Sequence, residues 1–188
     1  MKDLLEVLRV QRHNFLNHLQ VISGLLQLKK HDKIMDYIMQ IGNDYNQDSL
    51  VGRMNVPEIV VALLSSDLAA GKQGIIIKKE ITTDLDKGIV KEQEAAQILR
   101  GIINNTIVLA MNSGYQERVI ELEIKEEAAR YVFRLKLPCK DPGEEFETNI
   151  GALKTKAIAV GGEIEVKPDN GLIVLSLKIP VCDNNTGK

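Results

Sequence analysis

Residues 2–29 contain no proline and repeat apolar side chains at helical spacing. Leu5, Leu8, Phe15, Leu19, Ile22 and Leu26 follow a three- and four-residue rhythm, with a gap at Arg12. The segment "KKHDK" breaks that rhythm, and Asp32 is the expected N-cap of a second helix. His31 falls in the turn before it. The second helix carries Ile34, Ile38, Ile41 and Tyr45 on one face. Residues 1–52 therefore read as a helical hairpin. Two amphipathic helices cannot by themselves hide their apolar stripes from water. A second copy of the chain solves this, giving a four-helix bundle shared by a homodimer.

The rest of the chain changes character. "VGRMNVP" (51–57) reads as a junction, with Asn55 and Pro57 suited to a helix start. Residues 57–71 read as a helix, 74–82 as a strand and 91–112 as a long apolar helix. "RVIELEIKEE" and "RYVFRLKLP" alternate with period two and predict an antiparallel pair. "TNIGALKTKAIAVGG" (148–162) predicts another helix. "EIEVKPDNGLIVLSLKIP" predicts a hairpin turning at Asp169-Asn170-Gly171. The fold class expected is α+β: the hairpin, then a domain over 55–181 with helices on one mainly antiparallel sheet. Residues 182–188 are expected to form a flexible tail.

Composition removes several function classes. The net charge is -2 with both signs mixed along the 188 residues. Such a balance gives no footprint for nucleic acid and no polybasic membrane patch. No stretch approaches the roughly 18 apolar residues of a membrane span. Cys139 and Cys182 form no CxxC pair, which fits a reducing, cytoplasmic setting.

Chemistry concentrates in "RVQRHNFLNHLQ" (9–20). With His13 at zero and about 100° per residue, Arg9, Asn17, Gln20 and Gly24 fall within roughly 60° of it. The apolar stripe lies on the far side. His13 therefore stands on a wet face, while His18 lies nearer Phe15 and Leu25 and is expected to be half-buried and hydrogen-bonded. His31 is expected to be a loop residue. The two rings at 13 and 18 point about 140° apart, and no cysteine or paired acid completes a metal site. There is no G-x-S-x-G nucleophile elbow. What remains is covalent catalysis at the His13 imidazole, with Arg9 and Arg12 placed to neutralise phosphoryl oxygens. A solvated histidine on a helix surface is the alternative reading.

"LRVQRHNFLNHLQVISGLLQLKKHDKIMDYI" (8–38) resembles the phosphoacceptor hairpin of citrate/malate-type sensor histidine kinases and of the related sporulation phosphotransferases. That pattern is roughly R-H-D-x-x-N-x-L-Q followed by G-L-L-x-L. Arg12, His13, Asn17, Leu19, Gln20, Gly24, Leu25, Leu26 and Leu28 match it. The resemblance implies that His13 carries the phosphoryl group. It implies that Arg9, Arg12, Asn14, Asn17 and Gln20 orient phosphate or partner. Asn14 stands where the family has an aspartate, and an amide cannot act as a general base. "QILRGIINNTIVLA" resembles the asparagine-rich helix of the kinase ATP-binding domain, and Asn105 matches the asparagine that helps hold Mg²⁺. Gly101 and Val108 replace the other polar positions. "CKDPG" (139–143) puts Cys139 in the place of the adenine-reading aspartate. "EEFETNIGALK" leaves no room for a glycine-rich lid. By this resemblance the second domain is a degenerate ATPase domain binding no cofactor. The phosphoryl group then comes from an aspartate of a response-regulator receiver domain, which also supplies Mg²⁺. The expected function is a phosphorelay phosphotransferase, in sporulation signalling by resemblance. An ATP-dependent kinase with a diverged nucleotide site and a non-enzymatic receiver-binding regulator are the alternatives.

Overall fold

The computed structural model describes residues 2–115 and 118–182, without the side chains of residues 2–4, 6, 7, 14 and 43–48. The hairpin consists of α1 (Lys2–Gln27) and α2 (His31–Gly52). Lys29 closes α1 in the left-handed region, at φ +54°. The Lys30 N–H then donates to Leu25 O at 3.0 Å and the Lys29 N–H to Leu26 O at 2.9 Å. This is a Schellman closure built on lysine instead of glycine. It is so tight that α2 begins at His31. Two expectations are corrected by it. His31 opens a helix and is not a loop residue, and the N-cap is Lys30, not Asp32. Asp32 sits in the first turn of α2, where a carboxylate still meets the positive end of the helix dipole.

The junction is structural. Val51, Met54 and Val56 are buried in the core of the second domain, and the Asn55 N–H donates to Asp84 O at 2.7 Å. Helix α3 (Pro57–Lys72) has its proline in the first turn, where no N–H is needed. Val56, not Asn55, is its N-cap. Strand β1 (Ile76–Ile81) and helix α4 (Glu92–Asn112) follow, then β2 (Val119–Glu127) and β3 (Arg130–Pro138). Helix α5 (Gly143–Ala159) starts five residues earlier than the periodicity suggests, because "GEEFE" joins it. The Gly143 N–H donates to Asp141 Oδ1 at 3.0 Å just before this start. Glu144 and Glu145 occupy the first turn, which favours carboxylates. The chain ends in β4 (Glu163–Asp169) and β5 (Leu172–Pro180). Asn170 at φ +48° and Gly171 at φ +83° make the tight turn between them, as the Asn-Gly pair requires.

The five strands form one sheet in the order β1-β2-β3-β5-β4. Only β1 and β2 run parallel, because α4 crosses between them. The other pairs are antiparallel, so the α+β class holds. Ile120, Leu122, Ile124, Phe133, Leu135, Leu175 and Leu177 are buried in one core with Ile59, Leu99, Ile102 and Ile103 of the helices. The open face is ionic: Arg134 and Lys125 bind Glu123, and Lys178 binds Glu165. Val181 and Cys182 still bond to Ala129 O and Gly88 O, so Cys182 is held and not part of a loose tail. The rest of the expected tail, 183–188, lies outside the described residues.

Tyr131 on β3 is fully buried and anchors the loop before α4. Its Oη accepts the Lys87 N–H at 3.0 Å. Burial first, then the carboxylates of Asp86 and Glu126, push the phenol above the ordinary tyrosine value. A raised folded value means stability is complete below the unfolded value and declines as pH rises through the folded one. We expect Tyr131→Phe to cost about 1 kcal/mol at neutral pH, the scale of one hydrogen bond. It should also flatten the loss of stability above about pH 10. Urea denaturation at a series of pH values checks both.

Candidate functional site

Helix α1 carries the site. Spacing of four residues puts His13 and Asn17 on the same face, and the structure joins them directly: Asn17 Nδ2 lies 3.1 Å from His13 Nδ1. Both side chains are exposed, as are Arg9, Arg12 and Gln20. Arg9 and Gln20 flank the pair on the same face. Arg12 lies about 100° away, at the gap in the apolar stripe. Asn14 lies on α1 beside His13, and its side chain is outside the described residues. The structure thus brings His13 and Asn17 together and leaves Arg9, Arg12 and Gln20 turned to solvent nearby.

His18 behaves differently, as expected from its place between the faces. It is half-buried, and its Nδ1 is 2.9 Å from the Tyr37 hydroxyl on α2. The rings are tilted, with centroids 5.9 Å apart. This contact ties the two helices together one turn beyond His13. Tyr37 is not evident from the sequence pattern alone. Its position three residues after Ile34 on the inner face of α2 is the signal that points to it.

The second domain offers a different picture at the positions that resemble a nucleotide site. A Cβ built on Gly101 would lie 2.8 Å from Leu153 Cδ2 and 3.2 Å from its Cδ1. Leu153 of α5 therefore rests directly on α4 where the resemblance places a polar side chain. The Asn105 amide donates to Gly101 O at 2.8 Å, within its own helix. Val108 is exposed and apolar. Cys139 is buried, and burial raises its thiol above the ordinary cysteine value. Between α4 and α5 there remains a groove of about 290 Å³, lined by Lys91, Glu94, Gln97, Ile98, Leu153 and Lys156. That is at the lower edge of small-ligand pockets. Leu153 is an apolar side chain in that groove, among the charged groups of Lys91, Glu94 and Lys156. Among the described residues no group of three or more His, Cys, Asp or Glu is arranged to hold a metal. Nor is any helix among them long and apolar enough to cross a membrane.

Residues 1–54 match the family model described as Sensor_kinase_SpoOB-type, alpha-helical domain. The Sensor histidine kinase DcuS of Escherichia coli (strain K12) is 25% identical over 187 residues, covering 89% of this chain and 34% of that protein. The similarity is to sensor histidine kinases. The chain spans about a third of the length of that relative. The Sporulation initiation phosphotransferase B of Bacillus subtilis (strain 168) is 22% identical over 102 residues, covering 54% of this chain and 52% of that protein. Two solved structures share the fold. The Acinetobacter baumannii histidine kinase AdeS superposes with a TM-score of 0.51 at 12% identity, covering 92% of this chain and 98% of that one. The catalytic domain of histidine kinase ThkA does so with a TM-score of 0.53 at 12% identity, covering 66% of this chain and 92% of that one. A helical hairpin followed by a histidine-kinase-like α/β domain is thus the architecture of this chain.

Proposed function

We propose that the hairpin is a phosphotransfer module in a two-component system, with His13 as its phosphoryl carrier. The observation that carries this is the exposed His13 whose Nδ1 is engaged by Asn17, which leaves Nε2 for a partner. A receiver domain docks on the polar face of α1 and presents its phospho-aspartate in line with Nε2. The N–P bond forms as the P–O bond to the aspartyl group breaks, and the carboxylate leaves with the electron pair. The guanidinium groups of Arg9 and Arg12 stand close enough in sequence to pair with phosphoryl oxygens. Mg²⁺ comes from the receiver's acidic pocket. The reverse step delivers the group to a second receiver. The bundle that displays His13 is a homodimer, with the apolar stripes of two hairpins as its seam. The pathway is sporulation signalling, by likeness to the phosphotransferase of Bacillus subtilis.

Leu153 against Gly101 and the buried Cys139 support a receiver as the phosphoryl source over ATP. The second reading is an ATP-dependent kinase. It is favoured by the names of the relatives, most of which are sensor kinases, and by Asn105 in its place on α4. One labelling experiment separates the two. The protein is incubated with radiolabelled ATP alone, and separately with a receiver domain labelled on its aspartate. Label is expected from the receiver and not from ATP. Label from ATP alone would establish the kinase in place of the phosphotransferase, and label from neither overturns both.

A further inference from the structure

The two edges of the sheet are unlike. Strand β4 carries Pro168 with the charged side chains of Glu163, Glu165 and Lys167, features that keep a sheet edge from pairing further. Strand β1, the other edge, begins with Ile76 and Ile77 and has no proline. Ile76 is 60% exposed. In the parallel ladder the Ile76 N–H donates to Arg118 O at 3.0 Å and the Thr82 N–H to Ile124 O at 2.9 Å. The even-numbered residues of β1 therefore turn their backbone groups to β2, and the odd-numbered ones turn theirs the other way. Ile77 thus directs an N–H and a C=O away from the sheet. These groups face a groove of about 660 Å³ between β1, α3 and α1. Val10 of α1, Leu64 and Leu68 of α3, and Ile75 and Ile77 of β1 make its walls mainly apolar. Lys78 lies on the opposite, ionic face of β1. It is exposed and makes no ion pair among the described residues.

We propose that the outer edge of β1 is a docking site for an extended segment of a partner protein, which adds to the sheet as a further strand with apolar and acidic residues in alternation. Main-chain bonds to Ile77 set its register. The side chain opposite Ile77 turns into the groove against Leu64 and Leu68. The side chain opposite Lys78 lies on the ionic face, where a carboxylate meets the ammonium group. An all-apolar strand leaves that cation unmatched and a basic strand is repelled by it. The alternation follows because successive residues of a strand face opposite sides of the sheet. A small apolar molecule would fill the groove but leave the Ile77 backbone groups unused. Val10 stands three residues before His13, so the added strand also lies against the helix that carries the candidate site. The proposal does not depend on phosphoryl chemistry at His13.

The test uses the full chain and a synthetic peptide, acetyl-Thr-Val-Glu-Val-Asp-Val-amide, followed by the backbone amide shifts of the ¹⁵N-labelled protein. Saturable binding at or below about 1 mM is expected, with shifts in β1, in α3 and around Val10. Two controls read the mechanism. Methylating alternate peptide nitrogens, in both registers, leaves the protein untouched and removes donors that an added strand needs. In the register that bonds to β1 this is expected to weaken binding about tenfold. Lys78→Glu changes an exposed side chain. It is expected to weaken the acidic peptide about fivefold and to favour its counterpart with lysine at both acidic positions by a similar factor. No binding of the acidic peptide at that concentration would overturn the proposal. So would shifts confined to β4 or to the hairpin, or binding that ignores both methylation and Lys78→Glu. That last outcome would make the groove a cleft for apolar molecules instead of a strand site.

Discussion

A His13→Gln variant is expected to take no label from a phosphorylated receiver domain, a drop of about 10³-fold or more from wild type. Glutamine is a good helix former, so α1 is preserved. Its amide can occupy the same solvent-exposed position and bond to Asn17. It has no lone pair able to form a stable N–P bond, which is why the loss is complete and not graded. Far-ultraviolet circular dichroism of the variant should superpose on wild type. Label retained by a folded His13→Gln protein would move the carrier to another residue, and His18 and His31 are the other histidines in the chain. His18 is a poor replacement because it is half-buried between α1 and α2, against Tyr37.

The second large effect concerns assembly. Within one chain the apolar stripe of α1 stays open: Phe15 is 53% exposed and Leu19 47%. Leu8 and Leu26 on the same line, and Met35, Ile38 and Met39 on α2, are exposed as well. Contiguous apolar surface of this kind marks an interface. Covering the open half of each such side chain contributes about 1 kcal/mol. The inner contacts of the hairpin, through Ile34 and the His18–Tyr37 pair, are already made and cannot absorb this stripe. Leu19→Lys is therefore expected to split the proposed dimer, because the seam would have to desolvate two ammonium groups. Light scattering at micromolar concentration should fall from twice 20.9 kDa to 20.9 kDa. A wild-type protein that is already a monomer at that concentration would refute the shared bundle. Because the receiver is expected to dock beside the seam, the monomeric variant should also lose most phosphoryl transfer.

Much of this architecture is legible in the order of residues alone. The helical rhythm of α1, the period-two alternation of β2 and β3, and the Asn170-Gly171 turn each follow from local geometry. So does the nearness of His13 to Asn17, since residues four apart share a helix face. Where the pattern misleads, the causes are local too. Asp32 has the residue type of an N-cap, yet the Schellman turn at Lys29 leaves no residue to spare before His31. The start of α5 is hidden because "GEEFE" lacks an apolar rhythm of its own. Its acidic first turn and the Asp141 bond to the Gly143 N–H are the signals that mark it.

By itself the sequence determined the elements, the two faces of α1 and the identity of the one exposed histidine flanked by arginines. These depend on residues within a few positions of one another, where backbone geometry alone sets which side chains meet. Only the tertiary structure decided what lies across from them. His18 finds Tyr37 across a hairpin turn, and β1 pairs with β2 across the whole of α4. Val51 and Met54 belong to the core of the second domain, and Leu153 packs on Gly101 from another helix. Such contacts join segments far apart along the chain. Each is chosen by the close packing of all the others, and no local pattern carries that information.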